Sequence, residues 1–313
     1  MRETDVTFAS GDVTLAGTMA WPDGDAPFPA ALLIAGSGSL DRNANHKSLA
    51  LNLSRDLARV LTDEGWATLR FDKRGVGESG GNYLSTGFFE ELADAEAALD
   101  WLGAHADVGP IVAIGHSAGG LQAAELAGRE RKLAGAVLLA SPAQDGEAIL
   151  QAQARDVGEH MVPGPVKLLL KLFGTSVEKQ QAKATARVKA TTTDSARMGL
   201  TRKNVKWLRE FIAYDPAPAL RRANAPILAI TGAKDIQVNA ADLEIVAAVA
   251  PATTEVLRIH DVDHLMPPEP AEISRLKKYR KQLKKPVDPR VTDAVVDWLR
   301  RVPLGESRAE TGA

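Results

Sequence analysis

The pentapeptide Gly115-His116-Ser117-Ala118-Gly119 constrains this chain more than any other feature. It follows directly on the apolar run at residues 111–114 (IVAI) and opens a helix-like stretch, so a buried strand is expected to turn sharply into a helix at the serine. A residue on such a turn sits in a strained backbone conformation, and side chains two positions to either side would collide with neighbouring backbone. Glycine at 115 and 119 removes both obstacles. The following helix aims free N–H groups and the positive end of its dipole at the serine, which marks Ser117 as a candidate nucleophile. His116 should point away from it, and Gly120 should let the helix lie close to the sheet.

The flanking sequence has the rhythm this unit needs. Residues 5–10 and 13–20 alternate like two exposed edge strands around the turn Ser10-Gly11-Asp12. Residues 30–35 (AALLIA) read as a strand buried on both faces, and 66–71 (WATLRF) as the next. Between them Leu49, Leu53, Leu57 and Val60 recur at helical spacing; Leu92, Ala95, Leu99 and Leu102 mark a second helix before 111–114. A strand at 135–140 (GAVLLA) follows the elbow helix. Repeated strand–helix–strand units imply a parallel sheet with right-handed crossovers.

Residues 142–222 break this rhythm. They are rich in Ala, Lys, Gln and Leu, with breaks at Pro163-Gly164-Pro165 and Gly174, and contain no β-branched run that reads as a strand. Eighty residues are too long for a connection, so the segment is expected to be an inserted helical cap. Alternation then resumes: a strand at 226–231 (PILAIT), a helix over 240–250, a strand at 254–259 and a closing helix over 291–301. The expected division is a core of 1–141 and 223–313 interrupted by a cap of 142–222.

Composition narrows the chemistry. The 313 residues include no cysteine, which removes disulfides, thiolate zinc sites and cysteine nucleophiles together. With 38 basic and 40 acidic residues the formal charge is −2, so no nucleic-acid surface is expected. The one basic cluster, from Arg275 to Lys285, reads as a solvated helix face. No metal-ligand spacing of histidines and carboxylates is present, and no cofactor is implied. No window approaches the ~20 apolar residues of a membrane span, and residues 1–20 contain no secretory pattern. A cytoplasmic protein is the expectation, and a homodimer would be compatible with it.

The GHSAG elbow, the segment Phe71-Asp72-Lys73-Arg74-Gly75-Val76-Gly77-Glu78-Ser79 and Ile34-Ala35-Gly36-Ser37-Gly38 together resemble the α/β-hydrolase superfamily. More narrowly they resemble its capped bacterial carboxylesterases and serine aminopeptidase-like members, over residues 5–302. The resemblance implies a base on the loop after the last strand and an acid on the loop after the penultimate one. His264 fits the first, in Asp261-Val262-Asp263-His264; His260 is its rival, while His46 could line the pocket and His105 and His160 read as surface residues. Asp235, in Thr231-Gly232-Ala233-Lys234-Asp235, fits the second, with Asp242, Asp261 and Asp263 as rivals. The order Ser117, Asp235, His264 is the one this fold uses.

An oxyanion needs preorganised donors. The resemblance implies the N–H of Ala118 and one from the loop after strand 30–35, with Ser37 first and Gly38 second; the family's frequent His-Gly is here Ala35-Gly36. Gly36, Gly38 and His116 are expected to line the substrate. The loop lacks the full phosphate-binding glycine patterns. Asp72 and Arg74 are expected to form a structural pair. Met161, Leu168, Leu169, Leu172, Phe173, Met198, Leu200 and Phe211 are candidate cap linings, with Trp207 and Tyr214 near its hinge. An apolar pocket favours acyl or aromatic acyl groups. The expectation is an esterase acting on a small-molecule ester, with peptidase, thioesterase and C–C hydrolase as alternatives that share the triad, and a non-catalytic binding module as the alternative of another class.

Overall fold

The computed structural model describes residues 1–47, 49–129, 133–160, 162, 172, 175–270 and 285–304. Continuous apolar runs become the interior strands of one eight-stranded sheet. In chain order these are β1 (Arg2–Ser10), β2 (Val13–Trp21), β3 (Phe28–Ile34), β4 (Ala67–Phe71), β5 (Val108–His116), β6 (Gly135–Leu139), β9 (Ile227–Gly232) and β10 (Thr254–Ile259). Their spatial order is β1-β2-β4-β3-β5-β6-β9-β10. The pairs β1–β2 and β2–β4 are antiparallel, and every other pair is parallel. Only β1 is an edge strand at this end. Its partner β2 was expected at an edge, but it lies between β1 and β4 and is buried from Leu15 to Trp21.

Alternate side chains of each strand enter two separate cores, as the period of two demands. Ala30, Leu32 and Ile34 of β3 face α2 (Phe88–Gly103) and α3 (Ala118–Ala127). Ala31 and Leu33 face α1 (Leu53–Asp63) and the last helix, α9 (Pro289–Leu299). Leu49, expected in the first helix, lies before it and pairs with His46 in an isolated bridge. The chain passes from β3 to its neighbour β4, then recrosses to β5 on the other side of β3. Strand order therefore reverses between β3 and β5, and the crevice beyond the carboxyl ends at such a reversal is where open α/β sheets bind ligands.

Between β6 and β9 the chain forms α4 (Gly146–His160), α5 (Val177–Lys189), α6 (Val205–Ala213) and α7 (Ala217–Arg222), as the helical composition implied. It also forms a hairpin of β7 (Ser195–Met198) and β8 (Thr201–Asn204), which corrects the expectation of a purely helical insertion. The strands are four residues each and mostly polar (SARM, TRKN), so no apolar alternation announced them. Their turn is carried by Gly199 at φ +63°, a conformation glycine adopts without strain. A further helix, α8 (Asp242–Val249), connects β9 to β10.

Candidate active site

Ser117 is the N-cap of α3 at φ 53°, ψ −121°, which is costly for a residue with a Cβ and is a signature of a backbone over-determined by its surroundings. Those surroundings are on both sides of it. The Ser117 N–H donates to the Leu139 carbonyl at 2.8 Å, and its own carbonyl accepts from Gly120 at 2.9 Å. A Cβ on Gly115 would strike the Gly119 carbonyl, and one on Gly119 would strike the Ile34 carbonyl. A Cβ on Gly120 would lie 2.5 Å from Cβ of Ser141 at the end of β6, so the missing side chain is what lets α3 sit down on the sheet.

The loops after β9 and β10 are joined to each other by backbone. Ala233 N–H donates to Ile259 at 2.8 Å and Lys234 N–H to Val262 at 2.9 Å, and a Cβ on Gly232 would clash with the Val262 carbonyl. This brings Asp235 to His264. Asp235 Oδ2 meets His264 Nδ1 at 2.9 Å, and its Oδ1 accepts the N–H groups of Gln237 (2.7 Å) and Val238 (2.9 Å). The carboxylate is fully buried and His264 is 3% exposed. The bond to Asp235 fixes the imidazole's proton on Nδ1, leaving Nε2 as an acceptor.

His116 connects this pair to the elbow. Its Nε2–H donates to the His264 carbonyl at 2.8 Å, and the two rings lie 4.9 Å apart. Burial, and then the neighbouring His264, pull its pKa down to about 4, so the ring is neutral and acts as a donor at Nε2. The side chain is buried, with its ring against that of His264. Gly36 is buried against the elbow from the β3 side: a Cβ there would stand 3.2 Å from Cβ of Ser117 and 3.1 Å from the His116 carbonyl. Ser37 next to it is exposed, and Gly38 turns the loop at φ +105°. Ala118 begins α3, where N–H groups have no partner within the helix.

The rivals fall elsewhere. His260 and His46 are exposed, and His105 packs its ring against Trp21 at 5.0 Å. Asp242 accepts from Ala143 N–H (2.9 Å) and the Gln144 amide (2.7 Å), holding the entry to the insertion. Asp261, at φ 56°, accepts through its carbonyl from Glu269. Asp263 is fully buried beside the base; Oδ1 accepts from Leu265 N–H at 2.9 Å while Oδ2 has no hydrogen-bond partner among the described residues. Burial, reinforced by Asp235 and opposed by that N–H, pushes its carboxyl up to about 7.

The expected Asp72–Arg74 pair does not form. Asp72 pairs with Arg42 at 2.7 Å, and Arg74 with Asp94 at 2.7 Å, because Asp72 turns back toward the loop after β3 while Arg74 lies over α2. A second buried group escaped the sequence reading. Glu91, 4% exposed, takes Lys73 Nζ and Trp207 Nε1 on one oxygen, each at 2.9 Å, beside a small cavity of about 10 Å³ lined by Ala35, Lys73 and Gln122. Of the candidate cap linings, Phe211 is buried in a cluster with Phe88, Ala118, Leu121, Ile149, Trp207 and Tyr214. Met198 packs on Val188 and Val205, while Leu172 and Leu200 are 76% and 93% exposed. Met161, Leu168, Leu169 and Phe173, the side chain of His160, and the basic run at 275–284 lie outside the described residues. Among the described residues no group of three or more His, Asp or Glu is placed to hold a metal, and no helix is long and apolar enough to cross a membrane.

A mostly parallel sheet with a strand–serine–helix elbow at its switch point, and a buried Asp–His pair on the ends of the last two strands, define the α/β-hydrolase class. The family described as serine aminopeptidase, S33 matches residues 50–271, and the chain belongs to it. It is 29% identical over 299 residues to esterase EstD of Thermotoga maritima, covering 94% of this chain and 68% of that one. Among solved structures it resembles Est1E of Butyrivibrio proteoclasticus with ferulic acid bound, at TM-score 0.64 and 17% identity over 96% of this chain and all of that one. The Pyrococcus furiosus esterase Pf2001 superimposes at TM-score 0.58 with 18% identity over 97% and 94% of the two chains.

Proposed function

We propose that the chain is a carboxylesterase-like serine hydrolase that works through an acyl-Ser117 intermediate. The observation that supports it best is the buried Asp235–His264 pair, tied to His116, the residue that precedes the elbow serine. In this reading His264 Nε2 takes the Ser117 hydroxyl proton as Oγ attacks the ester carbonyl. Asp235 holds the Nδ1 proton and stabilises the imidazolium. The tetrahedral oxyanion is met by the N–H groups of Ala118 and of Ser37, with Gly38 as the alternative donor. His264 then returns the proton to the departing alcohol oxygen, the acyl-enzyme forms, and a water activated at the same nitrogen releases the acid.

The segment 142–222 serves as the cap in this proposal and shapes the acyl pocket. Esterase EstD and the ferulic acid held by Est1E support ester and aromatic acyl substrates. A substrate amino terminus would need an accessible carboxylate near the base. Of the carboxylates around it Asp235, Asp263 and Glu269 are buried and Asp261 is exposed, so the preference for esters over aminopeptides rests on the esterase relatives. Turnover of p-nitrophenyl acetate and butyrate should fall by roughly 10⁴-fold or more in Ser117→Ala, and fluorophosphonate labelling should disappear with it. Equal rates in variant and wild type would overturn the mechanism.

A further inference from the structure

Arg42 stands on the loop that leaves β3, four residues past Gly38, and no motif marked it. Its side chain folds back from the crevice and is mostly buried. The backbone N–H of Arg42 donates to Asp72 Oδ1 at 2.7 Å, and its Nε and Nη2 donate to Asp72 Oδ2 at 3.2 and 2.7 Å. Nη2 also reaches Glu78 at 2.5 Å, while Nη1 reaches the Gly17 carbonyl (3.1 Å), Thr18 Oγ1 (3.0 Å) and Asp5 (3.0 Å). Main chain and guanidinium thus converge on one carboxylate, a planar fork that lysine cannot reproduce.

Asp72 is itself fixed. Its N–H donates to Ala16 of β2 at 2.9 Å, and its carboxylate accepts from Glu78 N–H at 3.0 Å. Gly77, at φ +55°, leaves the space that the carboxylate fills, since a Cβ there would overlap it. Between the clamp and the elbow, Lys73 N–H reaches the Leu40 carbonyl at 3.5 Å and Leu40 N–H the Gly38 carbonyl at 3.0 Å. The loop 36–42 is therefore gripped twice: Gly36 lies against Ser117, and Arg42 is locked onto the end of β4. Ser37 and Gly38 lie between the two grips.

We infer that Arg42, clamped by Asp72, is a positioning residue that holds the N–H groups of residues 37–38 at the oxyanion. Arg42 contacts no reacting atom; it acts through the loop. The inference rests on the proposed esterase mechanism for its kinetic consequence, but the order of the loop can be read without it.

The test uses the full chain with Arg42→Gln, Arg42→Lys and Asp72→Asn, and Glu78→Gln as the control on the exposed outer partner. Steady-state kinetics on p-nitrophenyl butyrate, inhibition by a boronic acid that forms a tetrahedral adduct, and amide hydrogen exchange of residues 36–42 are measured together. In Arg42→Gln and Asp72→Asn, kcat should fall about 10- to 100-fold with KM within roughly threefold. Boronate affinity should fall in proportion, and the double variant should be no worse than the worse single one. Arg42→Lys should be impaired nearly as much, and Glu78→Gln should stay within about twofold of wild type. Exchange in 36–42 should quicken about tenfold or more in the impaired variants. A lowered Tm with kcat, boronate affinity and loop exchange all unchanged would reduce Arg42 to a stabilising residue and overturn the inference. Wild type that neither turns over esters nor labels at Ser117 would overturn the proposed function instead, and the exchange rates would still judge the clamp.

Discussion

Around Ser117 the joints are made of backbone. β9 and β10 continue into loops that hydrogen-bond to each other through Ala233–Ile259 and Lys234–Val262, and the elbow is set by Gly115 and Gly119 pressed against carbonyls. Between the insertion and the core the joints are made of side chains. α6 is held to α2 and the residues before it by Trp207 on Glu91, Lys206 on Glu90, Glu210 on the Phe89 N–H, and Asn204 on the carbonyls of Tyr83 and Thr86. Phe88 adds a 4.8 Å ring contact with Tyr214. Backbone joints survive most substitutions, so the geometry of the reaction is insulated from changes elsewhere. Side-chain joints can be exchanged one at a time, which lets the insertion change its shape while the chemistry beneath it stays the same.

The contrast breaks most sharply if a residue of the site proves to be a stability residue. Asp235→Asn keeps the shape of the side chain but can present an amide N–H to His264 and favours the wrong tautomer. It should lower kcat by about 10³- to 10⁴-fold while ester KM stays within a few-fold. Urea denaturation should show a loss far smaller than the kinetic one. A drop in stability that accounts for the lost activity would place Asp235 with the structural joints.

The converse variant lies at Glu91. Glu91→Ala leaves Lys73 buried without its partner and removes the acceptor of Trp207 Nε1. Breaking one side of a buried ion pair costs about 3–5 kcal/mol, which urea denaturation reads directly. The folded fraction should retain kcat within several-fold. A loss under about 1 kcal/mol would mean that the insertion is held by the Phe88 cluster and not by this carboxylate.

The same division explains what the sequence revealed. The strands, the crossover helices and the elbow at Ser117 were legible because each depends on a local pattern, an apolar run or a glycine pair, while Asp235 and His264, which the structure brings within 2.9 Å, were reached through the loop positions that the family resemblance implies. Arg42 was not legible. It is an unremarked charge after a glycine-rich turn, and its partner, 30 residues on, is found only once β2 and β4 lie side by side. Asp72 looked paired with Arg74 because they are two residues apart, but β4 ends at Phe71 and the chain turns at Arg74, so the period that would hold them on one face is lost and each found a different partner. The β7–β8 hairpin was hidden because its strands lie on the surface of the insertion and carry little apolar alternation. Glu91 and Trp207 sit 116 residues apart, and nothing in either segment names the other.

Asp263 belongs to neither kind of joint, and it offers the smallest effect with the clearest sign. Its carboxyl lies at 0% exposure, with Oδ2 lacking a partner among the described residues and a pKa of about 7 against the usual carboxylate value near 4. The proton is held more tightly in the folded state than in the unfolded one. Between about pH 4 and pH 7 the native protein therefore binds a proton that the unfolded chain has lost, and stability declines as pH rises through that window. Above it the fold carries a buried charge facing Asp235 and Glu269, offset in part by His264 and the Leu265 N–H. Asp263→Asn retains an acceptor for Leu265 and cannot ionise. Any cost of burying its amide is the same at every pH, so the slope carries the result. Relative to wild type, the variant should gain about 2–3 kcal/mol between pH 5 and pH 8, a few degrees in Tm followed by calorimetry at both values. A difference that stays constant across this range would mean that Asp263 does not titrate between pH 5 and pH 8 in the fold.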